Sequence, residues 1–170
     1  MRDTVNVLIV GVGGQGVLKT SEVLADVLMR EGYDVKQSEV HGMSQRGGSV
    51  VSEVRFGEDV HSPLSPQAGA DIVIALDDDE ARRAAPRLRE SGRLLDAPPE
   101  LTEQIANPRS RNMAALGRLS RLLDMDREYW HAAIEACLPP GTIEANIAAF
   151  EAGRRFDEKP QGEADARAMG

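Results

Sequence analysis

The sequence is poor in cysteine and aromatic residues, and positive charge is in deficit. Cys137 is the one cysteine among 170 residues, which excludes an internal disulfide and a Cys₄ iron–sulfur or Cys-rich zinc site within one chain. Aromatic residues make up 4% of the chain, and the formal charge is −8. Both values argue against nucleic acid as the main partner, because phosphate binding needs a basic surface and base stacking needs aromatic platforms.

Long apolar runs are also absent. No stretch approaches the roughly 18 apolar residues of a membrane span, and residues 1–10 differ from a secretory signal because charge precedes only a short apolar run. We therefore expect a cytoplasmic protein without membrane contact. The length predicts a single domain, which we place at 1–153. The charged tail at 154–170 has few apolar residues, and we expect it to be disordered or ordered only by a partner.

The apolar pattern indicates an α/β protein: a three-layer Rossmann-like fold with a mostly parallel sheet and a β-hairpin addition. The hairpin is expected where the strand at 50–56 turns at Gly57 and meets residues 60–61. A β–loop–α–β unit with a right-handed crossover is expected at the start of the chain. In the later predicted helix at 77–91, Pro86 is expected to kink or split the helix. Strands are predicted at 5–10, 33–40, 50–56, 70–76 and 93–96, and helices at 17–31, 77–91, 111–125, 126–138 and 142–153.

A glycine-rich loop joins the first strand to the first helix. Its spacing, Gly11-x-Gly13-x-x-Gly16, satisfies the dinucleotide-binding pattern in the required strand–loop–helix context. Such glycines permit a tight turn, and the helix N-terminus offers N–H groups to an anion. Glu39, near the end of the second strand, would then be the ribose-binding acid. The alternative is that the glycines only let the helix pack tightly on the sheet.

The segment after the second strand points elsewhere. The run SEVHGMSQRGGSV (38–50), together with VGVGGQGV (10–17), resembles the gamma-type subunits of 2-oxoacid:ferredoxin oxidoreductases, most closely the beta subunits of the indolepyruvate enzymes. The resemblance covers roughly residues 5–150. Shorter matches agree with it: Phe56-Gly57, Ser62-Pro63-Leu64, Ala70-Asp71, and Asn112-Met113 with Leu116-Gly117.

This resemblance implies a subunit of a larger enzyme. The family oxidatively decarboxylates a 2-oxoacid, here indolepyruvate or another aryl pyruvate, with coenzyme A and ferredoxin to an acyl-CoA and CO₂. A large partner subunit would carry thiamine diphosphate, Mg²⁺ and [4Fe–4S] clusters. The present chain would bind none of these alone, would hold no metal, would be inactive in isolation and would work in a hetero-oligomer with ferredoxin as acceptor.

His41 and Arg46 are the candidate catalytic residues, because they lie in a non-periodic loop after a strand. Arg46 suits a substrate carboxylate or a coenzyme A phosphate. His41 suits proton transfer or a hydrogen bond across an interface. The alternative is that both only dock the subunit to its partner. The other candidates for a ligand or interface loop are Gly13, Gly14, Gln15, Gly16, Glu39, Gly42, Gln45, Gly47, Gly48 and Ser49.

Other functions stay open at the level of sequence. The first alternative is a freestanding dinucleotide-binding oxidoreductase, and the second is a non-catalytic scaffold paralogue. The acidic run 77–80 could suggest a metal site, but acids at a helix start favour compensation of the helix dipole. Cys137, in an apolar helical pattern, is expected in the core.

Overall fold

The described strands all end by residue 95, with two α-helices among them, and helices make up the regular structure that follows. The computed structural model describes residues 4–42 and 47–156. The elements in these ranges are β1 (Val5–Val12), α1 (Val17–Arg30), β2 (Asp34–His41), β3 (Ser49–Gly57), β4 (Ala70–Ala75), α2 (Asp78–Ala84), β5 (Leu88–Leu95), α3 (Pro99–Thr102), α4 (Arg111–Ser120), α5 (Arg127–Cys137) and α6 (Ile143–Arg155). The predicted α/β class is confirmed.

The five strands form one sheet in the order β2-β3-β1-β4-β5. β4 is parallel to both β1 and β5, whereas β3 is antiparallel to both β1 and β2. β2 therefore runs in the same direction as β1, and β3 alone opposes the other described strands. All of the described strands except β3 run in one direction, which confirms the predicted mostly parallel sheet.

The β-hairpin addition exists, but its partners differ from those predicted. β3 pairs with β2 from Asp34↔Gly57 to His41↔Val50, and residues 60–61 form no strand. Both edges of β3 are already occupied by β1 and β2, so no edge remains for a further strand. The same insertion of β3 separates β2 from β1, so the predicted β–loop–α–β unit does not place its two strands side by side.

Three helix boundaries also differ from the prediction. α2 ends at Ala84, and Pro86 sits in a short 3₁₀ turn that leads directly into β5, because proline lacks the N–H that the helix needs and crowds the preceding turn. α4 ends at Ser120 instead of residue 125. α6 continues to Arg155, two residues into the predicted tail. Residues 157–170 lie outside the described residues.

The sheet separates two apolar layers of unequal size. Val7 and Ile9 of β1 face a large core built with α1, α4, α5 and α6, whereas Leu8 and Val10 face a small one closed by α2. This alternation is the period of two that a strand buried on both faces requires. The helices described here are all too short or too polar to cross a bilayer.

Candidate functional site

The glycine loop between β1 and α1 is closed by the side chain of Gln15. Its Oε1 accepts a hydrogen bond from the N–H of Val12 at 2.9 Å, and its own N–H donates to the Val12 carbonyl at 3.1 Å. A Cβ on Gly11 would lie 2.8 Å from that Oε1, so glycine admits the side chain. Gln15 thus bonds the end of β1 rather than the first turn of α1.

Gly16 lets helix α4 approach the start of α1. Its φ is +83°, and a Cβ there would lie 2.6 Å from Nδ2 of Asn112. Asn112 is buried, and its Nδ2 donates to the Gly16 carbonyl at 3.3 Å and to Oγ1 of Thr20 at 3.2 Å. At Gly16 the close contact is therefore with helix α4, whereas the sequence alternative expected the glycines to let α1 pack on the sheet.

The two sequence motifs that carry the family resemblance lie side by side. The N–H of Gly13 donates to the carbonyl of Gly48 at 3.0 Å, and the N–H of Gly42 donates to the carbonyl of Ser49 at 2.7 Å. Gly47 has φ +66° and turns the chain back toward β3. Two of the candidate residues, Gln45 and Arg46, lie outside the described residues.

His41 ends β2 with its side chain 57% exposed, and its Nε2 is 3.8 Å from Oε2 of Glu39. Glu39 also accepts a hydrogen bond from Nε2 of Gln37 at 3.4 Å. In dinucleotide-binding folds, the ribose-binding acid lies at the end of the strand adjacent to the one that leads into the glycine loop. Because β3 lies between β2 and β1, Glu39 is two strand spacings away, about 10 Å. This geometry disfavours the freestanding dinucleotide-binding alternative.

Ser49 is engaged in a structural contact with α2. Its Oγ donates to Oε2 of Glu80 at 2.6 Å, and Glu80 is 3% exposed. Asp77 caps α2 by accepting hydrogen bonds from the N–H groups of Asp79 and Glu80. The acidic run 77–80 thus serves the start of the helix, as its position indicated.

A cleft of about 400 Å³ opens beside the glycine loop. It lies at the carboxyl ends of β1 and β4, where open α/β sheets bind ligands. Gly14, with φ +92° and no atom within 4 Å of a built Cβ, is on the open side of the loop. The lining residues are Gly14, Gln15, Leu76, Thr102, Pro108, Arg109, Arg111 and Asn112.

Two arginines give this cleft a positive wall, and the sequence reasoning missed both. Arg109 is exposed in the turn before α4, where Oδ1 of Asn107 accepts a hydrogen bond from its N–H at 3.1 Å. Arg111 is half-buried, and its Nε donates to the carbonyl of Ala97 at 3.0 Å. Guanidinium groups in a cleft suit a carboxylate or a phosphate. The only local sequence signal near them is the Asn107-Pro108 pair, which marks a turn and not a ligand site.

Comparison with known proteins places this fold and loop geometry in a family. Residues 6–156 match the pyruvate ferredoxin/flavodoxin oxidoreductase family. The chain is 31% identical to the indolepyruvate oxidoreductase subunit IorB of Thermococcus kodakarensis, over 87% of this chain and 93% of that protein. This chain belongs to the pyruvate ferredoxin/flavodoxin oxidoreductase family. The predicted resemblance is thereby confirmed.

Solved structures from this oxidoreductase family share the fold. The gamma subunit of a keto/oxoacid ferredoxin oxidoreductase from Geobacter sulfurreducens superposes with a TM-score of 0.72 at 24% identity, over 88% of this chain and 95% of that one. The 2-oxoglutarate:ferredoxin oxidoreductase of Magnetococcus marinus, solved with 2-oxoglutarate, coenzyme A and succinyl-CoA, gives 0.79 at 17% identity, over 91% of this chain and 31% of that one.

Proposed function

We propose that this chain is the small subunit of a cytoplasmic, thiamine-dependent indolepyruvate:ferredoxin oxidoreductase. With a larger subunit it converts an aryl pyruvate and coenzyme A to an acyl-CoA and CO₂, and the electrons pass to ferredoxin. The observation that carries this proposal is the alignment with a protein named indolepyruvate oxidoreductase subunit IorB over 93% of that protein's length.

The cofactors of such an enzyme do not fit the donor atoms of this chain. A [4Fe–4S] cluster takes four cysteines, and the sequence contains one. Across residues 4–42 and 47–156, no three His, Cys, Asp or Glu side chains are grouped to hold a metal ion. We therefore assign thiamine diphosphate, Mg²⁺ and the clusters to the larger subunit.

This chain would contribute the carboxyl edge of its sheet to the shared site. The glycine loop and Gly48 meet there, and the cleft beside them has Arg109 and Arg111 in its wall. Its positive charge suits the carboxylate of a 2-oxoacid or a phosphate of coenzyme A. Arg46 would supply a further guanidinium, and His41 would hold or move a proton at its imidazole.

Reconstitution tests this assignment. The chain is co-purified with the larger subunit, and coenzyme A-dependent reduction of ferredoxin or a viologen dye is measured with indolepyruvate, pyruvate and 2-oxoglutarate. We expect activity only with both subunits, and a higher kcat/KM for indolepyruvate. Full activity of the larger subunit alone would contradict the proposal.

Variants in the same assay separate a catalytic from a docking role at the sheet edge. His41→Ala and Arg46→Ala are each expected to lower kcat/KM in an assembled complex by about 10- to 100-fold. Arg82→Ala, on the exposed side of α2, is the matched control. If both site variants assemble and retain full activity, these residues take no part in the reaction.

A further inference from the structure

One face of the sheet has much less helical cover than the other. Opposite α1, the seven-residue helix α2 packs over β1 and β4. The strand register places Ser38 and Val40 of β2 on this same face, level with Glu53 and Val51 of β3. This part of the sheet lies beyond α2 and is crossed by residues 62–66, which we call the proline strap.

Arg55 fixes the backbone of the proline strap. Its Nη1 donates to the carbonyls of Ser62 at 2.6 Å and Leu64 at 2.7 Å, while its Nε donates to Oδ1 of Asn6 at 2.6 Å. One guanidinium thus joins β1 to two carbonyls of an irregular segment. The strap is held by specific side-chain hydrogen bonds in place of a strand or helix ladder.

A buried carboxylate holds the other end of the strap. Oε2 of Glu53 accepts hydrogen bonds from the N–H of Ser65 at 2.9 Å and from its Oγ at 3.1 Å, and Glu53 also pairs with Arg87. Burial raises the pKa of Glu53, but these hydrogen bonds and the Arg87 charge outweigh it and lower the pKa below its usual value. The Glu53 carboxylate therefore remains charged at neutral pH and keeps its hydrogen bonds to Ser65 of the strap.

The fixed strap presents an apolar side chain to solvent. Leu64 is 58% exposed although its carbonyl is bound by Arg55. Val40 on β2 is 60% exposed. Ser38, about 7 Å away from Val40 along the same face of β2, donates from Oγ to the carbonyl of Pro63 at 3.4 Å, so the strap passes one side-chain position from Val40. A single exposed leucine is ordinary, but one on an immobilised backbone loses little entropy when it is bound.

We propose that Leu64, together with the exposed Val40 on the same face of the sheet, is an anchor by which this chain docks to an apolar pocket of the larger subunit. The inference rests on the proposed function. The occupant is chosen because the same fold makes up 31% of the much longer M. marinus chain, so in that protein the fold is joined to a large polypeptide. The proline strap thus serves to hold the anchor in its bound conformation.

The test measures the affinity of the purified chain for the larger subunit by biolayer interferometry. Leu64→Ser is expected to raise Kd about tenfold or more, as for a central apolar anchor, whereas Leu64→Met keeps size and apolarity and stays within about threefold of the parent. Met29→Ser is the matched control, since Met29 is 57% exposed on α1 at the other face of the sheet. Circular dichroism checks that each variant is folded.

The outcomes separate the two proposals. If the parent chain and the larger subunit do not bind, the proposed function fails and the anchor with it. If the parent binds and Leu64→Ser binds equally well, or loses no more affinity than Met29→Ser, the anchor is wrong and the proposed function stands. A loss confined to Leu64→Ser and absent from Leu64→Met supports the anchor.

Discussion

At the scale of single residues, buried polar side chains stabilise this fold where each has a charged or hydrogen-bonding partner. Glu151 on α6 is buried, and its Oε1 is 2.7 Å from Nε of Arg127 and 2.7 Å from Nε2 of His131 on α5. Burial raises the pKa of Glu151, but the hydrogen bonds from His131 and Arg127 outweigh it, so its pKa lies below the usual value. The ionised carboxylate therefore joins α5 to α6.

Replacing Glu151 with Gln should weaken this junction in a pH-dependent way. A lowered pKa in the folded state adds stability that is present above the carboxyl's usual pKa and is lost as the pH falls through the folded-state pKa. We expect Glu151→Gln to lower the free energy of unfolding by about 1–2 kcal/mol at neutral pH. Urea unfolding should show the gap narrowing as the pH falls to about 4 and below.

Glu135→Gln, exposed on the neighbouring helix α5, is the control and should change stability by less than about 0.5 kcal/mol. A gap between Glu151→Gln and the parent that stays constant across the pH range would show that the carboxylate's charge is not what stabilises the junction.

At the scale of elements, two glycines set the crossing of α4 and α6. A Cβ on Gly117 of α4 would lie 2.0 Å from the carbonyl oxygen of Phe150, and one on Gly153 of α6 would lie 1.9 Å from that of Ala114. Both obstacles are backbone atoms, so no rotamer change relieves them. Gly117 and Gly153 are therefore the points at which the two helices touch.

Alanine at either glycine should therefore push the two helices apart. We expect Gly117→Ala and Gly153→Ala each to lower the free energy of unfolding by about 2–4 kcal/mol, measured by urea denaturation. Gly141→Ala is the control, because no atom lies within 4 Å of its built Cβ, and it should be neutral or slightly stabilising. Losses below about 0.5 kcal/mol at both helix positions would mean that the crossing relaxes without cost.

The same glycines show how far the sequence predicts the elements. β1, β4 and α1 were predictable because apolar runs and helical periodicity are local signals. The start of β5 was predicted at residue 93 instead of Leu88, because residues 88–92 continue the polar pattern of the preceding helix. That Pro86 ends this helix depends on the strand that follows it. No local signal reveals that Gly117 meets Phe150, since that contact depends on how α4 and α6 cross.

The candidate site was predictable to a similar extent. The glycine loop and the motif at 38–50 were identified from their residues, and the structure joins them through the Gly13–Gly48 hydrogen bond. Arg109 and Arg111 were missed because they reach the cleft only when the segment before α4 folds over the ends of β1 and β4. A site assembled from distant loops leaves no spacing for sequence reasoning to detect.

At the scale of the whole molecule, both apolar layers share one sheet. β1 contributes Val7 and Ile9 to the large core and Leu8 and Val10 to the small one, so neither layer can lose its packing without exposing the other. Trp130, the single tryptophan, is fully buried in α5 and stacks on Phe150 of α6 with ring centroids 5.5 Å apart. The fluorescence of Trp130 therefore reports on the part of the large core that α5 and α6 form.

We therefore expect the isolated chain to unfold in one cooperative step. In urea, the transition seen by Trp130 fluorescence should coincide with the one seen by far-ultraviolet circular dichroism. Leu119→Ala removes most of a fully buried side chain of α4. It should move both transitions to lower urea equally, which corresponds to a loss of about 2–4 kcal/mol in the free energy of unfolding. A fluorescence transition at lower urea, or an unequal shift in Leu119→Ala, would show that α5 and α6 unfold apart from the sheet. Coincident transitions follow from the structure because β1 lies at the centre of both layers.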